Sequence, residues 1–157
     1  MLSTIEKVII LKTVGVFARL DDPLLAEVAG LLEEEEVTAG QTIFAEGDLG
    51  TSMYIIVDGE VRVHSGAHAL DHLREREVFG EMALLDPEPR LASVTAVVDT
   101  RLLRLEQAPF YELLEDRIEV ARGIIQTLSQ RLRARVADLN ALRARLASLE
   151  QRPAGEA

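Results

Sequence analysis

The chain has no cysteine and no tryptophan, and aromatic residues make up 4% of it. Without thiols there is no disulfide, no zinc–thiolate centre and no thiol catalysis. So few rings argue against a single-strand nucleic-acid binder, which stacks bases on exposed aromatic faces. Lysine occurs only at Lys7 and Lys12, neither in a glycine-rich loop, so no phosphate-loop motif is present. A Ser-His-Asp order and a paired catalytic carboxylate motif are also missing, and the chain reads as a non-enzyme. No apolar run approaches the roughly 20 residues of a membrane span. The apolar stretch Val8–Leu11 stands between two lysines and is too short for a signal sequence. The expected compartment is the cytoplasm, with no membrane insertion.

What is present is an ordinary globular composition, 48% hydrophobic and 28% charged, over 157 residues. That length supports one sizeable core. The formal charge of −10 is unevenly placed: residues 1–116 hold 23 acids against 9 bases, and residues 117–157 hold 4 against 8. An acidic body repels phosphate backbones, so no nucleic-acid partner is expected for this chain.

Three zones follow. Residues 1–35 have helical spacing at Ile5, Val8 and Ile9. Asp22 is the expected cap of a second helix with Pro23 at its first position, and Leu24, Leu25, Val28, Leu31 and Leu32 are its apolar stripe. The acidic run Glu33–Glu36 reads as a solvated helix end or strand edge. Residues 36–106 carry short strands between turns, the pattern of a β-barrel or sandwich. Met53–Val57 is apolar throughout, as for a strand buried on both faces. Asp58-Gly59 after it reads as a two-residue hairpin. Residues 107–116 form a short helix with Phe110, Leu113 and Leu114, residues 117–152 a long one, and residues 153–157 a disordered tail.

The long helix, expected from Ile118 to Glu150, carries a 3.5-residue repeat. One series is Ile118, Ile125, Leu132, Leu139 and Leu146; the other is Leu114, Ala121, Leu128, Arg135, Leu142 and Leu149. In a parallel, in-register pair Asp138 faces Arg143 and Arg145 faces Glu150. The expected assembly is a coiled-coil homodimer through Ile125, Leu128, Leu132, Leu139, Leu142, Leu146 and Leu149. A single amphipathic helix packed on its own domain is the alternative.

The chemistry is concentrated in Phe79-Gly-Glu-Met-Ala-Leu-Leu-Asp-Pro-Glu-Pro-Arg90-Leu-Ala-Ser-Val94. Gly80 allows close approach to the backbone. Glu81–Leu85 fits one helical turn, whose first N–H groups lack partners and suit an anion. Arg90 opens an apolar strand and calls for a bidentate anionic partner. Glu81 would repel a bare phosphate and suits a ligand hydroxyl. A cationic fork, an anion-binding turn and a hydroxyl acceptor together imply a phosphate joined to a sugar. An ion pair between Glu81 and Arg90 is the purely structural alternative.

This run, F-G-E-x-A-L then P-R-x-A-S-V, with Gly47-Asp48, the strand Met53–Val57 and Gly59, resembles the cyclic nucleotide-binding domain family over about residues 10–135. The family includes catabolite-activator-type regulators, regulatory subunits of protein kinase A and nucleotide-gated channels. The resemblance implies a mainly β fold with flanking helices, a double-stranded β-helix (jelly roll). It implies that Arg90 pairs with the cyclic phosphate and Glu81 accepts the ribose 2′-hydroxyl. Gly80, Met82 and Ala83 would supply backbone to the phosphate turn. Leu91 and Ala92 would flank the phosphate, and Val63 and Leu73 would wall the base. The helix after the barrel would lid the ligand and carry the dimer. The expected ligand is cAMP, with cGMP second, because Leu91 lacks the hydroxyl linked to guanine selection; no other cofactor and no metal is expected. The family's glycine-rich turn before Phe79 is replaced by Leu73-Arg-Glu-Arg-Glu77, which must avoid positive φ or accept strain. His64, His68 and His72 read as hairpin surface residues. The expected function is a regulatory module coupling cyclic nucleotide binding to movement of the C-terminal helix, with an unidentified effector domain or protein. The alternatives are a vacant barrel serving dimerisation, and a regulatory piece of a larger transporter, channel or repeat protein.

Overall fold

A computed structural model describes residues 1–151; the expected tail at 153–157 lies outside the described residues. Two short helices open the chain. Helix α1 (Thr4–Leu11) starts at a capping box, in which Ser3 Oγ accepts from the Glu6 N–H and the Glu6 carboxylate accepts from the Ser3 N–H. A 3-10 turn (Gly15–Phe17) leads to α2 (Asp22–Ala29). Its cap is Asp21, one residue before the expected Asp22: the Leu24 N–H donates to Asp21 Oδ1 at 3.2 Å. Gly30 ends α2, so Leu31 and Leu32 lie beyond the helix, where Leu32 is still buried.

Eight strands follow: β1 (Glu33–Val37), β2 (Thr42–Phe44), β3 (Ser52–Asp58), β4 (Glu60–Ser65), β5 (His68–Arg74), β6 (Val78–Phe79), β7 (Ser93–Ala96) and β8 (Thr100–Glu106). A short helix α3 (Glu81–Leu85) lies between β6 and β7, and α4 (Gln107–Asp116) and α5 (Ile118–Glu150) close the described chain. Hydrogen bonding divides the strands into two four-stranded antiparallel sheets, ordered β1-β8-β3-β6 and β2-β7-β4-β5. The acidic run is thus an edge strand, and its neighbour β8 supplies Arg104, which pairs with Glu33 at 2.6 Å and Glu35 at 3.1 Å.

Strand β3 is buried on both faces, as its unbroken apolar run predicts. Met53 and Ile55, with Leu103 and Leu105 of β8, join Leu11, Phe17, Leu25, Val28, Phe110, Val120 and Ile124 in a core against the helices. Tyr54 and Ile56, with Leu102 and Phe79 of the same sheet, face Val61, Val94 and Ala96 in a second core between the sheets. The alternation of one strand therefore feeds both cores.

Asp58-Gly59 is not a hairpin. Strands β3 and β4 belong to different sheets, so this dipeptide is the corner where the chain crosses between them. Gly59 has φ 111°, and a Cβ there would run into the buried Thr100. Turn chemistry signals a sharp reversal, which a sheet-to-sheet corner needs as much as a hairpin does. The hairpin is β4–β5, turning at Gly66, and the three histidines lie on its strands. The glycine-free turn accepts strain: Arg76 sits at φ 72°, alone among the described non-glycine residues in the left-handed region.

Candidate functional site

Arg90 is held by the protein's own groups. Its backbone N–H donates to Asp48 O at 2.7 Å and its carbonyl accepts from the Gly47 N–H at 2.8 Å. Gly47-Asp48 is therefore a clamp on the arginine's backbone, and Asp48 Oδ2 steadies that turn by accepting from the Ala45 N–H at 3.0 Å. The guanidinium donates from Nη2 to Ser52 O at 2.8 Å. Its Cζ stands 4.0 Å above the centre of the Phe44 ring. Nε is buried without a hydrogen-bond partner, and Arg90 makes no ion pair among the described residues. Burial pushes the guanidinium below its ordinary pKa, and Tyr54, Glu106 and Asp48 partly offset this from a distance.

Glu81 opens α3 after Gly80, whose φ of 79° requires the left-handed region. A side chain at Gly80 would crowd Arg90 Nη1 and the Ser52 carbonyl, at 2.8 and 2.9 Å from its Cβ, so strain and space both demand glycine. Glu81 does not pair with Arg90. Its Oε1 accepts from Nη1 of Arg131, on α5, at 3.4 Å. The purely structural reading of the Glu81–Arg90 couple rested on a mutual ion pair, and that pair is not formed.

Both side chains line one cavity of about 820 Å³. Gly80, Glu81, Met82, Ala83, Arg90, Leu91, Ala92 and Val63 line it with Phe44, Phe79 and Val94. Leu73 does not: it packs beside Val63 against the core between the sheets. Leu91 is 91% and Met82 66% exposed, so both are rim rather than floor. Phe44 and Phe79 carry no signal of this in the sequence, because two phenylalanines on short strands have no pattern that separates a cavity wall from a core.

Helix α5 meets the domain through its first turns. Val120, Gly123, Ile124 and Thr127 are buried, and a Cβ at Gly123 would stand 2.7 Å from Leu20 Cδ2. Ile125, Leu132, Leu139, Leu142, Leu146 and Leu149 are exposed, between 48% and 66%, and Leu128 packs partly on the domain's own core. Arg131, at the end of the packed part, lies over Gly15 and reaches Glu81. No helix among the described residues is long and apolar enough to cross a membrane.

Residues 34–117 match the family model for the cyclic nucleotide-binding domain. The chain belongs to that family. A CRP-like cAMP-activated global transcriptional regulator of Mycobacterium tuberculosis is 29% identical over 129 residues, covering 79% of this chain and 58% of that protein. A cAMP-dependent protein kinase regulatory subunit of Eremothecium gossypii is 37% identical over 113 residues, covering 71% of this chain and 25% of that protein. The N-terminal domain of a transcriptional regulator from Streptomyces coelicolor A3(2) superposes with a TM-score of 0.76 at 32% identity, covering 83% of this chain and 94% of that one. The chain thus spans little more than half the length of the first of these relatives and a quarter of the second. The antiparallel β core with flanking helices and a long C-terminal helix is the fold of this family.

Proposed function

We propose that this cyclic nucleotide-binding domain takes cAMP in the cavity between Arg90 and Glu81 and reports it through α5. The observation that carries the reading is that the two residues face one cavity while neither is spent on the other. Arg90 keeps most of its donors for an anion, and a charge-assisted fork is among the stronger hydrogen-bonded contacts a site can offer. Phosphate contacts Arg90, the ribose hydroxyl donates to Glu81, and the base lies along Val63 and the phenylalanines. Regulation rather than catalysis is the role, in keeping with the transcriptional regulator and the kinase regulatory subunit to which the chain is similar.

The coupling to α5 runs through Arg131. A ribose hydroxyl at Glu81 competes with, or is bridged by, the guanidinium that now holds that carboxylate. An exposed ion pair is worth about 0–1 kcal/mol, which biases an equilibrium by no more than about fivefold. Arg131 is therefore a sensor of occupancy, and larger shifts need differential contacts along the rest of the helix. Two copies pair along the exposed stripe from Ile125 to Leu149, burying apolar surface that one copy leaves in water.

Calorimetric titration with cAMP, cGMP and 5′-AMP tests the reading, with Arg90→Ala as control. Saturable binding of cAMP, tighter than of cGMP and lost in the variant, is expected. No heat with any nucleotide, together with an unchanged melting temperature, would contradict it.

A further inference from the structure

Arg90 poses a problem of placement. A cation meant for an incoming anion must be held still, yet a carboxylate that held it would also cancel its charge. The protein provides no carboxylate for it among the described residues. It provides Phe44, whose ring centre lies 4.0 Å under the guanidinium carbon. An aromatic face attracts a cation through its quadrupole and leaves the positive charge in place.

The ring is itself immobilised. It lies 5.9 Å from Phe79 and 6.2 Å from Tyr54, and those two rings stack at 5.0 Å with 12° between their planes. The pairing of β2 with β7 shifts register between Thr42 and Phe44, the kind of irregularity that re-aims a side chain. Around the ring the slot is cleared by glycine: a Cβ at Gly50 would run into Arg90 Nε and Cζ, and one at Gly80 would stand 2.8 Å from Nη1. One hydrogen bond, to Ser52 O, sets the rotation of the fork.

We propose that Phe44 is the positioning residue of the site: its ring holds the Arg90 guanidinium in the cavity as an uncancelled charge, ready for an anionic ligand. The consequence for affinity rests on the nucleotide-binding reading above; the placement of Arg90 does not.

Two readouts on the full chain separate them. In the nucleotide-free protein, the Arg90 Nε–Hε resonance, assigned with Arg90→Lys, is displaced upfield by the ring current and returns to the ordinary arginine position in Phe44→Leu. In cAMP titrations, Phe44→Leu weakens binding about two- to thirtyfold, the range a cation–π contact spans from exposed to desolvated. Phe44→Tyr keeps the affinity within about twofold, since a phenol ring has a comparable face. Stepwise fluorination of the Phe44 ring keeps its shape and drains its quadrupole, so affinity falls in steps; a merely space-filling role predicts no such trend. This series also carries the test should Phe44→Leu fold poorly. An undisplaced Arg90 resonance, or affinity indifferent to fluorination, overturns the proposal. A displaced resonance that Phe44→Leu restores, in a protein that binds no nucleotide, sustains the placement of Arg90 and overturns the nucleotide reading instead.

Discussion

The two halves of α5 share one heptad pattern and live in different surroundings. From Ile118 to Arg131 the helix has two apolar faces. Val120, Gly123, Ile124 and Thr127 lie buried on the domain, while Ile118 and Ile125 of the heptad series point away from it. From Leu132 onward only the heptad face remains, and every residue to Glu150 is exposed. The domain therefore buries mainly a face between the two heptad series, taking Leu114 and Leu128 of the second series in part, and the heptad residues from Leu132 onward stay free. Arg131 stands at the boundary, joined to Glu81. The first half touches the cavity through the Arg131–Glu81 pair, and the second leaves its apolar stripe exposed.

Substitutions can sharpen this contrast. The largest effect belongs to the packed half: Ile124→Ala opens the helix-side core and costs about 2–5 kcal/mol, read as a lowered urea midpoint. Leu142→Ala, matched in chemistry but exposed, changes the stability of the isolated domain by no more than about 0.5 kcal/mol. Equal losses at the two positions would erase the distinction. Truncation after Arg133 comes next. It halves the mass seen by light scattering and leaves the sheets folded by circular dichroism; a full-length chain already monomeric would remove the partner from the account. Arg131→Ala also changes stability little, within about 1 kcal/mol because the pair is exposed. Its effect appears instead in how α5 responds to ligand.

Much of this was legible in the sequence, for reasons that differ by element. Strand β3 announced itself because a run apolar on both parities can only be buried on both faces. Helix α5 was bounded at Ile118 and Glu150 because nothing within it after Gly123 breaks a helix. Its inner face was not seen: Val120 and Ile124 lie between the two heptad series, and a long repeat drew attention from a short second stripe. Arg90 and Glu81 stood out because charges in an otherwise apolar run need a reason. Their actual partners, Ser52, Phe44 and Arg131, are 38, 46 and 50 residues away in sequence, where no local pattern reaches. The corner at Asp58-Gly59 was misread because local turn chemistry does not say which sheet the next strand joins. The strain at Arg76 followed directly from the absence of glycine in 74–77.

The central question is whether the cavity is coupled to the helix. Hydrogen exchange of α5 amides, with and without saturating cAMP, in the native chain and in Arg131→Ala, asks this directly. The account predicts that cAMP changes protection across residues 120–135 of the native chain. It predicts that Arg131→Ala still binds cAMP but loses most of that change. Binding with no change in α5 in either protein would contradict it.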